Sequence, residues 1–243
     1  MLIVGAIVAA IVLVISFATF YKTPTCSDGK ENQGEQGIDC GGPCPYLCSA
    51  LEDAPSVLFT QVVNNGTGRA DVVAEVENKN MDAAAKSAPY TVAFYDATHT
   101  LLGRVTGTMD LPPGASVPVY IPGVASGQQT IASAFLSFDP AAVSWYRLSR
   151  DPRVVPVVSN IVQSGVTNAP RIDATLTDPS AASLTNVRAI VLVKDAGGNV
   201  IAASQTVLPV VPAQGSANAT FTWSGAFSGP VVSVEVVPVI PLP

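Results

Sequence analysis

Residues 2–20 form an unbroken apolar stretch of nineteen positions drawn from Leu, Ile, Val, Ala, Gly and Phe, with only Ser16 and Thr19 polar and no charge. At 1.5 Å per residue this run makes a helix of about 28 Å, close to the roughly 30 Å hydrocarbon thickness of a bilayer. Tyr21 and Lys22 follow at once, an amphipathic ring and an ammonium suited to the headgroup level. A cleaved signal peptide would carry a basic leader, a shorter apolar core and a small-x-small cleavage site, and none is evident. The pattern predicts an uncleaved anchor. A pilin-type assembly helix is the other reading of such an N-terminus, although it usually carries an acidic residue near its start.

Beyond Ser49 the pattern changes to short runs of Val, Ile, Ala, Thr and aromatics separated by Gly, Pro, Asn and Asp. No stretch sustains an apolar period of three to four residues over a dozen positions, so the region is expected to be all-β. Alternation places Tyr90, Val92 and Phe94 on one strand face. A second strand places Val187, Ala189, Val191 and Val193 on one face and Arg188 and Lys194 on the other.

These signals recur with a period near 100 residues. Val76 and Asn78 correspond to Leu176 and Asp178, Asp96 to Asp195, and Pro112 and Ser116 to Pro212 and Ser216. Each copy reads as three strands, an Asp-containing hairpin, a strand, a Pro-rich turn and further strands. Six or seven short strands in about 95 residues is the size of an immunoglobulin-like sandwich. The chain is therefore expected to divide into a transmembrane anchor (1–22), a cysteine-rich segment (23–50), a first β-sandwich (51–150) and a second (151–243).

Composition narrows the function. Charged residues are only 12% of the 243, and the formal net charge is −6. That sign argues against a phosphate-binding surface and hence against nucleic acid as a partner. The 20 Pro and 19 Gly agree with many turns and few long helices.

All four cysteines, Cys26, Cys40, Cys44 and Cys48, lie within twenty-three residues. An even number in a Gly-rich stretch too short for its own core reads as two disulfides, with three connectivities possible. A four-cysteine zinc site usually shows two close pairs separated by a longer loop, which this spacing does not. Oxidised cysteines after the apolar run place the C-terminal part outside the cell membrane in a single-pass arrangement. The segment resembles a short motif of secreted and surface microbial proteins, C-x-D-G-x-x-N-x-x-E-x-G-x-D-C-G-G-x-C, and departs from it in the three residues between Cys44 and Cys48. Asp28, Asn32, Glu35 and Asp39 offer hard oxygen donors for calcium. Alternatively they are turn residues that bond their own backbone. No other cofactor is indicated.

The order of signals in each copy is similar to the FxLYD-type β-sandwich domains of membrane-anchored and secreted prokaryotic proteins. The family's Phe-x-Leu-Tyr-Asp appears as Val92-Ala93-Phe94-Tyr95-Asp96 and as Val191-Leu192-Val193-Lys194-Asp195, with only the Asp kept in both. The resemblance implies a surface or envelope module without a catalytic constellation.

Between the copies lie Trp145, Tyr146, Arg147, Arg150 and Arg153. Arg and Trp dominate interface hot spots, so the cluster is either a recognition patch or the weld that joins two sandwiches. His99, the single histidine, falls in a hairpin, and no G-x-S-x-G elbow or phosphate-binding glycine loop occurs. The sequence thus predicts a non-enzyme: an envelope protein held in the lipid bilayer by residues 2–20, displaying two sandwiches to an unknown envelope or surface protein. An adhesion module that binds calcium or glycan, and a surface-filament subunit, are the alternatives.

Overall fold

The structure, a computed structural model, describes residues 5, 10–13, 15–16, 25–64, 69–126, 130–165 and 168–243. It separates into two compact units, Met1–Cys48 and Ser49–Pro243. The anchor expected over residues 2–20 falls largely outside the described residues. Among the described residues, no helix is long and apolar enough to cross a membrane.

The second unit is all-β. Its first repeat holds β1 (Ser56–Asn64), β2 (Arg69–Glu77), β3 (Ala83–Tyr95), β4 (Leu101–Leu111), β5 (Ser116–Ser126), β6 (Ser133–Phe138) and the short β7 (Trp145–Arg147). Its second holds β8 (Val157–Ser164), β9 (Arg171–Thr177), β10 (Leu184–Lys194), β11 (Val200–Val211), β12 (Ser216–Thr222) and β13 (Ser233–Val239). The first repeat forms two sheets ordered β1-β2-β5 and β4-β3-β6, with β7 added to the start of β3; the second forms β12-β9-β8 and β11-β10-β13. All the pairings among these strands are antiparallel.

The repeat read from the sequence recurs in the hairpins. Asp96 and Asp195 close equivalent hairpins, each accepting from two backbone N–H groups, those of Thr98 and Thr100 in one case and Gly197 and Asn199 in the other. Both repeats shift register at the same place, between Phe94 and Tyr95 of β3 and between Val193 and Lys194 of β10, and Ser87 and Asn186 each take φ +53°.

Period-2 alternation explains each interior. In the first repeat Val72, Ala74 and Val76 of β2, Val92 and Phe94 of β3, Leu111 and Trp145 are buried. In the second, Val187, Ala189, Val191 and Val193 enter a core with Ile172, Leu176, Ala219, Phe221 and Trp223. This is the face the sequence assigned to them.

The opposite face of β10 is buried as well. Ile190 and Leu192, with Val200 and Ala203, share a second cluster with Val63 and Val73 of the first repeat, flanked by Phe59, Tyr120 and Val239. The β1-β2-β5 sheet therefore packs its outer face on the outer face of β11-β10-β13, and the two sandwiches become a stack of four sheets. The contact joins unlike sheets. β11-β10-β13 is the repeat equivalent of β4-β3-β6, whereas β1-β2-β5 is the equivalent of β12-β9-β8.

Candidate functional site

Two places gather the polar chemistry of the chain: the cysteine-rich loop in the first unit and the joint between the sandwiches in the second.

In the first, Cys26 pairs with Cys44 and Cys40 with Cys48, so the two bridges interlace. Sequence left three connectivities open because spacing alone carries no information on which Cβ atoms approach. The structure also shows why glycines surround Cys40. Gly42 takes φ +56°, and a Cβ there would lie 2.1 Å from the carbonyl oxygen of Gly34.

The four oxygen-bearing residues named from the sequence lie in this loop; the three carboxylates are engaged with its N–H groups, and the buried Asn32 Oδ1 has no hydrogen-bond partner. Asp39 accepts from the backbone N–H of Asp28 at 2.9 Å and of Gly29 at 3.0 Å. Asp28 accepts from Lys30 N at 3.0 Å and from Asn32 Nδ2 at 3.0 Å. The Asn32 amide, together with backbone donors, holds the Asp28 carboxyl below its ordinary range. Glu35 is buried and accepts from Asn32 N at 3.1 Å. These are the bonds of Asx-type turns, in which carboxylates replace the backbone partners that a coreless loop lacks. The Glu35 carboxylate also lies beside the sulfurs of Cys26 and Cys44. Both sulfurs are consumed in the bridge, so neither is a thiolate ligand.

At the second place the named residues do not converge. Trp145 is 1% exposed and belongs to the first sandwich, where β7 pairs with Ala83–Ala85 of β3. The Tyr146 hydroxyl is buried without a hydrogen-bond partner, and desolvation raises its pKa above the ordinary phenol value. Arg147 extends to solvent, 3.9 Å from Asp82. Arg150 is exposed. Arg153 alone reaches across. It forms a bidentate pair with Asp151, with Nε 2.9 Å from Oδ1 and Nη2 2.7 Å from Oδ2, and donates through Nη1 to the carbonyl of Ile240. This pair lowers the Asp151 pKa. The clasp fastens the segment between the repeats to the C-terminal tail. A second clasp is Asp110, which accepts from Ser87 N at 2.8 Å and from Leu242 N at 2.6 Å.

The joint itself is made by residues the sequence reading did not single out, Val63 and Val73 against Ile190 and Leu192. A signal for them was present. Ala189-Ile190-Val191-Leu192-Val193 and Val72-Val73-Ala74 are continuous apolar runs, the mark of strands covered on both faces. Polar groups rim the apolar contact. Lys194 binds Glu235 at 2.8 Å, and Glu75 beside them has a raised pKa, chiefly from desolvation and only partly offset by Lys194. Tyr120 donates to Asp71 at 2.6 Å, and Asp71 also accepts from Gly123 N at 2.7 Å.

Along one side of the joint runs a cleft of about 300 Å³. The two positive-φ residues, Ser87 and Asn186, both line it, as do Lys86, Asp110, Arg188 and Val239. Its polar lining is therefore contributed by both repeats.

No protein-family model matches the chain, and no curated protein matches it. Among solved structures, a red sea bream transglutaminase aligns at 15% identity and a TM-score of 0.24, over 77% of this chain and 31% of that one. A β-glucuronidase of glycoside hydrolase family 2 aligns at 9% identity and a TM-score of 0.23, over 90% of this chain and 29% of that one. The chain spans less than a third of either protein. At those scores neither likeness bears on activity.

Proposed function

We propose that this chain is a display scaffold of the cell envelope. Residues 2–20 hold it in the membrane, the disulfide-stapled loop stands outside, and the paired sandwiches present their outer sheet faces and edges to another surface protein. The observation that carries this reading is the four-sheet stack of residues 49–243. Apolar side chains on the outer faces of β1, β2, β10 and β11 are spent on joining the repeats, and the polar groups around them tie down linkers rather than converge on a reacting atom. A stack of this kind is suited to binding proteins by its faces or by adding a strand at an open edge. The similarity of both repeats to the FxLYD-type sandwiches of membrane-anchored proteins agrees with this reading.

The test is thiol labelling of cells carrying the full chain, with a maleimide that does not cross membranes. Labelling of intact cells that appears only after mild reduction, together with retention of the chain in alkali-washed membranes, is the expected result. Labelling that needs permeabilisation but no reduction would overturn both the external location and the oxidised loop.

A further inference from the structure

The cleft beside the joint collects two cations that pair with nothing in the chain. Lys86 of β3 and Arg188 of β10 both line it, and both are exposed. Among the described residues the ion pairs join Arg147 to Asp82, Arg153 to Asp151, Arg171 to Asp173 and Lys194 to Glu235, so neither Lys86 nor Arg188 takes part in one. The internal repeat does not account for them either. At the offset of 99 that relates Asp96 to Asp195, Lys86 corresponds to Thr185 and Arg188 to Pro89. One repeat supplies the ammonium and the other the guanidinium, so the two share a cleft only because the sandwiches are stacked.

The one carboxylate that lines the cleft, Asp110, has both oxygens engaged. Oδ1 accepts from Ser87 N at 2.8 Å and Oδ2 from Leu242 N at 2.6 Å. The second of these bonds also fixes a wall. Val239 and Pro241 line the cleft, and the tail that carries them is held at Leu242 by Asp110 and at Ile240 by Arg153. A wall fastened in advance spares a ligand the entropic cost of ordering it.

Met109, Pro118 and Val119 are buried and form the apolar base of the cleft, while Ser87, Thr108 and Asn186 are exposed and place hydroxyl and amide groups at its mouth. A volume of about 300 Å³ with an apolar base and a few polar groups suits a small molecule. The two unpaired cations select an anion. The apolar base selects against a bare inorganic ion, which would give up hydration there without gaining contacts.

We infer that the joint cleft binds a small organic anion, its carboxylate held between Lys86 and Arg188 and its apolar body laid over Met109 and Val119. The planar guanidinium of Arg188 orients the carboxylate, because its donors match both oxygens at once, and the Lys86 ammonium adds charge without fixing direction. Groups this exposed attract through water, so binding weakens as salt is raised. The site goes beyond the display role proposed above and does not depend on where the chain resides.

The experiment titrates benzoate into the isotopically labelled full chain in uncharged detergent at low salt, with inorganic sulfate as a control for charge alone and benzyl alcohol as a control for the apolar body alone. Benzoate is expected to shift the amide resonances of Ser87, Asn186 and Arg188 along one saturating curve, and both controls are expected to bind more weakly. Arg188→Gln is expected to weaken benzoate roughly five- to tenfold and Lys86→Gln by a smaller factor, with the rest of the spectrum unchanged. An absence of saturable shifts at these residues, or equal affinity in the variant carrying both substitutions, would overturn the site. Sulfate bound as tightly as benzoate would overturn the role of the apolar base, and benzyl alcohol bound as tightly would overturn selection for an anion.

Discussion

Val73 of the first repeat and Ile190 of the second lie in one buried cluster, although each occupies the outer face of its own sandwich. Burial on both faces of β2 and β10 makes residues 49–243 one unit. Ile190→Ala removes side-chain volume from the middle of this contact and is expected to cost about 2–5 kcal/mol. Denaturant unfolding of the parent is expected to show one transition. A parent curve with two separable transitions, or an Ile190→Ala variant as stable as the parent, would refute a joint of this strength.

The interlaced bridges hold a loop whose buried residues are few, among them Glu35, Cys44, Leu47 and Cys48. Removing the longer bridge by Cys26→Ser with Cys44→Ser is expected to destabilise the loop by about 3 kcal/mol, in line with its eighteen-residue separation. Amide exchange resolved by residue checks this: protection across 25–48 is expected to vanish. Retained protection at Asn32 and Glu35 would show that the turn bonds suffice without the bridge.

On the outer face of β9 the Arg171 guanidinium, with help from the Thr220 hydroxyl, lowers the Asp173 pKa to about 2. A carboxyl lowered in the folded state contributes stability above its unfolded value near 3.9, and that contribution is lost as pH falls toward about 2. Arg171→Gln is expected to bring the Asp173 titration back toward the ordinary range. Carboxyl chemical shifts followed through an acid titration measure it, and an unmoved midpoint would exclude Arg171 as the cause.

His99 occupies the left-handed region at φ +62°, where the equivalent hairpin of the second repeat has Gly198 at φ +78°. The backbone demands glycine, and a side chain there costs about 1 kcal/mol. His99→Gly is therefore expected to stabilise the first repeat by up to about that amount. Equal or lower stability of the variant in urea would show that the imidazole makes a compensating contact.

Some of this architecture was legible in the chain and some was not. The faces of β3 and β10 could be read residue by residue, because alternation is a local property of extended backbone. The matched Asp96 and Asp195 hairpins could be read from their spacing. Where the side chains of the arginine and tryptophan cluster would go was not legible. Trp145 serves its own sandwich, Arg147 faces water and only Arg153 reaches the C-terminal tail, because proximity in sequence does not fix the directions of side chains along a short strand and an irregular linker. The calcium candidates lie in one loop, where the carboxylates of Asp28, Glu35 and Asp39 receive backbone N–H groups and the Asn32 Oδ1 has no hydrogen-bond partner.

The sequence by itself determined the strands, their inward faces, the repeat and the confinement of the cysteines, since each follows from chain-local periodicity and turn chemistry. Only the tertiary structure decided which cysteines pair, which outer face of one sandwich covers the other, and that the buried Asn78 side chain supplies a donor to the carbonyls of Ala83, Leu111 and Pro112. Those outcomes depend on which residues distant in sequence approach one another. The relevant free energies, burial of Ile190 and Leu192 against Val63 and Val73 and the satisfaction of isolated polar atoms, exist only once the sheets are stacked.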